Sequence, residues 1–273
     1  MLAKRSKQAG AHLLAIFACL IMVIPFYLIV VNSFKSSPEA SSMSVALPTI
    51  WHPENFAAVI AQGKLATSFF NSVIYATGST IIGTLFAAMA AFVLSRNRSR
   101  FNRFLYFFII LGIALPMNFF TLTRVMQITD LINTKIGMII LYAAGQIPFG
   151  VFLIYGFLDT IPKELDEAAI IDGCGPLQLF FQIIVPLIMP VLITEAVLSF
   201  LGAWGNFIMP LYYLNNTANW PMTLSAYNFF DMYHMNWNLF SADILMTVIP
   251  VILVYLAAQR YILSGMTAGA VKG

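Results

Sequence analysis

Four carboxylates and a lysine crowd into ten residues of this chain: Lys163, Glu164, Asp166, Glu167 and Asp172. They sit in the stretch Ile161–Pro186, IPKELDEAAIIDGCGPLQLFFQIIVP, with long apolar runs on both sides. Such a segment is a handle that something in water can take hold of. A helix lying on a bilayer surface is usually basic on its polar face. This one is acidic, so anionic lipid repels it and a basic protein surface attracts it. Catalytic signatures are missing elsewhere: there is no HExxH, no GxSxG and no pair of intramembrane carboxylates. No GxxxxGK[ST] phosphate loop occurs, so any ATP chemistry must come from another chain. Three scattered histidines make no metal site, and Cys19 and Cys174 give neither a disulfide framework nor a metal spacing.

The elements that position this stretch follow from composition. The 273 residues are 60% hydrophobic and 9% charged, far from the roughly one-quarter charged content of soluble domains. A net charge of +3 is no nucleic-acid signal. The expected fold class is an all-α membrane protein with six transmembrane helices and a polar helix in a loop between the fourth and fifth.

The spans are expected at about 12–31, 70–94, 104–123, 136–158, 187–207 and 239–259, within a membrane domain covering 12–262. Residues 1–11 and 263–273 are short polar ends, and 161–186 is the loop that carries the acidic helix. The first run is about 20 residues, enough to cross a hydrocarbon core of about 30 Å. Pro25 is expected to kink it, and Gly78 and Gly83 permit close helix contact in the second span. Residues 32–66 read as a loop with short structured pieces, rich in proline and serine.

Lys and Arg stay on the cytoplasmic side of a membrane. With the N-terminus inside, ten of the fourteen fall in cytoplasmic segments: Lys4, Arg5, Lys7, Arg96, Arg98, Arg100, Arg103, Lys163, Arg260 and Lys272. Both termini and the acidic loop are therefore expected in the cytoplasm.

Within the loop, Pro162 suits a first helical position, and Glu164, Asp166 and Glu167 suit the positive end of a helix dipole. Gly173 and Gly175 supply a stop. The spacing predicts a helix over Lys163–Asp172, three turns and roughly 15 Å long, with Leu165, Ala168, Ala169 and Asp172 on one face. A second short apolar helix, Leu177–Ile184, then re-enters the membrane around Pro186.

The series Glu167-Ala168-Ala169, three residues, Gly173, nine residues, then Ile183-x-Val185-Pro186 resembles the EAA loop of permease subunits in ATP-binding-cassette importers. Its one departure is Val185 in place of leucine. Ile147-Pro148-Phe149, Ile161-Pro162 and the ending Gly269-Ala270-Val271-Lys272-Gly273 are similar to carbohydrate-importer permeases of the smaller maltose-permease kind. Trp204-Gly205-Asn206 departs from the adjacent Trp-Asn of that family. The resemblance implies a non-catalytic, multi-pass protein of the bacterial cell membrane. It implies as partners a second homologous permease, two ATPase subunits that bind ATP and Mg in place of this chain, an extracytoplasmic solute-binding protein, membrane lipid and a sugar. It also implies that Glu164, Glu167, Ala168, Ala169, Asp172, Gly173 and Pro186 couple to the ATPase, and that the tail reaches between the ATPase subunits.

Glu195 is an ionisable residue at membrane depth, where insertion costs about 2.5–3.5 kcal/mol. It bonds a neighbouring helix or lines a solute path. Asn118, Gln146 and Asn206 carry the same two readings, whereas Arg124 and Asp243 are expected near outer ends, within reach of water. The aromatics Trp220, Tyr227, Tyr233 and Trp237, in the loop 212–237, anchor at a membrane boundary or meet the solute-binding protein. Two other functions stand as alternatives to a sugar permease. One is a permease for another solute, such as a polyol, glycerol phosphate or peptide. The other is an ion-coupled transporter, which would show more spans and broken midplane helices.

Overall fold

Lipid offers backbone groups no hydrogen-bond partner, so long uncharged runs cross it as helices or closed barrels; this chain is helical. The computed structural model describes residues 2–229 and 235–270. Among these there are helices and turns and no β-strand. In chain order the principal helices are α1 (Leu2–Ser33), α2 (Glu54–Gln62), α3 (Leu65–Arg96), α4 (Arg100–Ala114) and α5 (Phe119–Ile128). There follow α6 (Lys135–Leu158), α7 (Glu164–Ile171), α8 (Met189–Trp204), α9 (Ile208–Tyr213) and α10 (Trp237–Ala270). Four are long and apolar enough to cross a membrane: α1, α3, α6 and α10. The number reaches six if each of two bent pairs makes one crossing.

One of the two bends falls where a straight span was expected. The run 104–123 is split between α4 and α5, which meet at 113°. Pro116 is the cause, because a residue before proline is pushed out of the helical region, and Leu115 is extended at φ −75°, ψ 128°. The other lies at the start of the run 187–207, where the short re-entrant segment Pro176–Leu187 meets α8 at 81°. Helix α8 has 16 residues, roughly 24 Å of length, and is too short to cross alone. Pro25, Pro148 and Pro250, by contrast, lie inside unbroken helices. Helix α10 continues beyond 259 to Ala270; Val271–Gly273 lie outside the described residues.

The chain divides into two units, Met1–Ala66 with Met222–Ile249, and Thr67–Pro221 with Pro250–Gly273. In the first, residues 32–66 hold two short helices, Ser37–Ala40 and α2, joined by turns. Lys35 is fully buried, and its ammonium donates to Asn32 Oδ1 at 3.0 Å, Ser44 O at 2.8 Å and Ser44 Oγ at 3.0 Å. Three acceptors match its three hydrogens. Asn55 of α2 donates to the carbonyls of Ser33 and Lys35, both at 2.9 Å, and accepts from Asn238 of α10 at 3.0 Å. Asp243, expected within reach of water, is instead fully buried. The turn Met222–Ser225 folds over it, with Ser225 Oγ 2.9 Å from both carboxylate oxygens.

In the second unit α6 packs against α4 and α8, and glycines set how closely its neighbours approach. A Cβ on Gly78 would lie 3.2 Å from Ile139, and one on Gly83 3.1 Å from Gln146 Oε1. A Cβ on Gly150 would meet Ala87 Cβ at 2.8 Å and Glu195 Oε1 at 3.1 Å. Helices α3, α6 and α8 therefore converge at Gly150 and Glu195.

Candidate functional site

The acidic helix forms as α7, one residue shorter at each end than expected, with Lys163 and Asp172 as its caps. Gly173 stops it at φ +87°, a left-handed conformation that costs glycine little. Gly173 N donates to Ile170 O and Cys174 N to Ala169 O, both at 3.0 Å. This pair of bonds is a Schellman motif, which satisfies two carbonyls that the helix end would leave orphaned. Pro176–Gln178, a π-helical turn Leu179–Ile184 and Val185–Leu187, which holds Pro186, then lead into α8.

One side of α7 is fastened and the other is open. Asp166 and Ala169, one turn apart, are its two buried residues. Ala169 joins the core formed with Ala91 and Leu94 of α3, Ile154 and Leu158 of α6, and Phe180 and Ile184. Glu164, Glu167, Ala168 and Ile171 are exposed, Ile171 at 84%. Their spacing places all four along one stripe. The face opposite the core is thus Glu164, Glu167, Ala168 and Ile171; of the expected face of Leu165, Ala168, Ala169 and Asp172, Ala169 is corrected to the inner side while the other three are exposed. The reason is that Ala169 fills a gap in the chain's own core while Asp166 is drawn inward by charge.

That charge is Arg96, the last residue of α3. Its Nε lies 2.7 Å from Asp166 Oδ2, and the two side chains are 13% and 12% exposed. Nη2 donates to Asp166 Oδ1 at 3.2 Å and Nη1 to Ile161 O at 3.2 Å. The guanidinium thus meets the carboxylate through one hydrogen bond, from Nη2, and a close Nε–Oδ2 ion contact, while Nη1 holds the Ile161 carbonyl. One arginine thereby joins the end of α3 to the α6–α7 link and to α7 itself.

Glu195, midway along α8, is fully buried. Thr84 Oγ1 of α3 donates to its Oε2, and Ser199 Oγ donates to its Oε1 at 2.6 Å. The Ser199 carbonyl in turn accepts from Gln146 Nε2 of α6 at 3.0 Å. The network ties α3, α8 and α6 together, the helix-bonding alternative of the two open for Glu195.

Beside it lies a cavity of about 400 Å³, within the range of small-molecule sites. Tyr142, Gly145, Gln146 and Phe149 of α6 line it, with Ser199 and Gly202 of α8, and Asn206. A Cβ added at Gly145 or Gly202 would meet nothing within 4 Å, so these two glycines keep space open where Gly150 keeps helices close. Gln146 and Asn206 are brought together here. Asn118 is not among the lining residues; it caps α5, accepting from Thr121 N at 3.1 Å.

The aromatic candidates are placed separately. In the second unit Trp220 Nε1 donates to Leu214 O at 3.0 Å. In the first, Tyr227 is exposed, and Trp237 opens α10 with its ring 5.8 Å from that of Phe240. Tyr233 lies outside the described residues. Sequence reasoning missed the Arg96–Asp166 pair, the Thr84 and Ser199 hydroxyls and the two cavity glycines. Arg96 carried a signal, as the first charge after a long apolar run; the others carried none.

Residues 79–267 match the family described as binding-protein-dependent transport system inner membrane component. The diacetylchitobiose uptake system permease protein NgcG of Streptomyces coelicolor is 32% identical over 272 residues, 98% of this chain and 90% of that one. The probable starch degradation products transport system permease protein AmyC of Thermoanaerobacterium thermosulfurigenes is 32% identical, over 95% of each chain. Among solved structures, a chain of a bacterial ABC transporter that imports the acidic polysaccharide alginate has the same fold. Its TM-score is 0.79 at 24% identity, covering 93% of this chain and 95% of that one.

Proposed function

We propose, on the premise that this chain belongs to the binding-protein-dependent transport system inner membrane component family, that it carries a carbohydrate across the bacterial cell membrane. It does so as the permease subunit of an ATP-driven importer, and it is a transport component, not an enzyme. The carbohydrate assignment is supported by relatives whose names specify diacetylchitobiose and starch degradation products.

The observation that carries the coupling reading is the two-sidedness of α7. Its inner residues are held by Arg96 and the core, and its outer stripe, Glu164, Glu167, Ala168 and Ile171, has acidic and apolar groups without cover among the described residues. An ATPase subunit presenting basic and apolar groups fits that stripe. Asp172, Gly173 and Pro186 then act by ending α7 and redirecting the chain toward α8, and Ala169 by seating α7 on the core. Closure of two ATPase subunits on ATP and Mg moves α7. Because α7 is fastened to α3, the motion reaches the helices around the cavity and alternates access to it.

The remaining assembly comprises a second permease, a solute-binding protein outside and both termini of this chain inside, the last on the grounds of the arginine and lysine distribution. The cavity with Gln146, Ser199 and Asn206 supplies amide and hydroxyl groups along an otherwise apolar wall, a lining suited to hydroxyl-rich solutes. Trp220, Tyr227, Tyr233 and Trp237 are the candidate contacts for the binding protein. Reconstitution tests the reading: uptake of a radiolabelled oligosaccharide into proteoliposomes requires ATP, the ATPase and the binding protein. Uptake driven by an ion gradient without ATP would contradict it.

A further inference from the structure

Arg96, Arg98, Arg100 and Arg103 mark one end of the second unit, where the apolar helix α3 stops, α4 starts and α6 finishes. Arg96 is committed to Asp166, whereas Arg98 and Arg103 line a separate cavity of about 150 Å³ together with Asn102, Tyr106, Tyr155 and Asp159. Arg98 Nη2 donates to Asp159 Oδ1 at 2.8 Å. Arg103 has no carboxylate partner among the described residues. Two arginines against one aspartate leave the cavity one positive charge in excess. Its wall is braced by the Tyr106 and Tyr155 rings, with centroids 4.2 Å apart. It lies between the first two turns of α4 and the last turn of α6, whose opposed helix dipoles leave the arginines to carry the positive charge.

The surroundings say where an anion would come from. Phe107 lines the same cavity, and Phe101, Phe104, Phe107 and Phe108 of α4 are all exposed, each by more than 60%. In an inner membrane component these rings face hydrocarbon. A cationic cavity opening beside them stands at headgroup depth, where basic pockets between helices recognise lipid phosphates. We propose that this cavity binds the phosphate of an anionic phospholipid, held by Arg103 and Arg98, with its acyl chains along the phenylalanines of α4. A zwitterionic lipid fits less well because its ammonium offsets the phosphate's negative charge and is itself repelled by the cavity's excess positive charge. The site joins the α3–α4 link to the end of α6, the same helix end whose Leu158 packs with Ala169 of α7.

The assembled importer, purified in neutral detergent and stripped of lipid, is titrated with dioleoyl phosphatidylglycerol while its unfolding temperature is followed. Saturable stabilisation is expected for wild type, with apparent affinity lowered roughly five-fold in Arg103→Gln and largely kept in Arg103→Lys. Arg103 is exposed and unpaired, so the variants fold. Mass spectrometry of the lipid that co-purifies before stripping gives a second reading, with less phosphatidylglycerol on Arg103→Gln. Equal affinities in wild type and Arg103→Gln overturn the proposal. So does equal stabilisation by phosphatidylethanolamine, which would make the site blind to net charge. Saturation by inorganic phosphate at the same affinity overturns the lipid assignment in favour of a free anion.

Discussion

Arg96 Nε and Asp166 Oδ2 stand 2.7 Å apart although seventy positions separate them in sequence, and both side chains are nearly closed to solvent. The pair is the polar fastening between a long membrane helix, α3, and the short acidic helix α7. Removing one member leaves the other charged in a largely buried place, which costs about 3–5 kcal/mol. Replacing both with apolar residues of similar bulk is far milder. Arg96→Met and Asp166→Leu alone are therefore expected to lower the folded yield and unfolding temperature of the complex. The double variant recovers most of the stability, and a double-mutant cycle on the unfolding transition measures the coupling.

Glu195 separates its two roles by substitution. Gln accepts and donates at the same positions, so Glu195→Gln keeps partners for Thr84 and Ser199 and is expected to retain both stability and uptake. Glu195→Leu takes the acceptor from the buried Ser199 hydroxyl, at about 1–3 kcal/mol, and from the half-buried Thr84 hydroxyl, and lowers the unfolding temperature. Loss of uptake in a fully stable Glu195→Gln variant would instead make the carboxylate a solute contact.

Three glycines of the same bundle are expected to differ sharply. Gly150→Ala forces a methyl to within 2.8 Å of Ala87 Cβ, an overpacking cost of about 1–3 kcal/mol. Gly145→Leu and Gly202→Leu place side chains into open space in the cavity, so the complex stays folded while solute uptake falls. Binding-protein-stimulated ATPase activity measured beside uptake distinguishes a blocked path from a broken fold.

How far the sequence disclosed this arrangement depended on whether the determinant was local. The end of α7 was readable because Gly173 acts within six residues, through bonds to Ile170 and Ala169. The bend after α4 had its cause in plain view, since Pro116 dictates the backbone of Leu115, yet hydropathy alone reads through it. The inward turn of Ala169 was not readable. Both alanines of the motif look alike until Arg96, seventy residues upstream of Asp166, decides which side of the helix faces the core. Asp243 was misjudged for a related reason. A charge near a helix end reads as exposed, and only the folded chain shows Ser225 arriving to receive it.

Gly173→Ala tests the helix stop. A left-handed residue other than glycine costs roughly 1–2 kcal/mol, small against the stability of the bundle. The variant is expected to assemble with a modestly lower unfolding temperature. A larger part of the loss is expected in coupling, read as ATP hydrolysed per solute imported.

The central claim is that the outer stripe of α7 is where a water-soluble ATPase takes hold of this chain. The direct measurement is the amount of ATPase subunit that co-purifies with the permease, alongside ATP-dependent uptake, for Glu167→Ala and Ala168→Arg. Both side chains are exposed and neither touches the Arg96–Asp166 fastening, so the permease itself stays folded. The account expects reduced ATPase retention and reduced uptake in both variants, most severely in Ala168→Arg. Wild-type retention and wild-type uptake in both would contradict it.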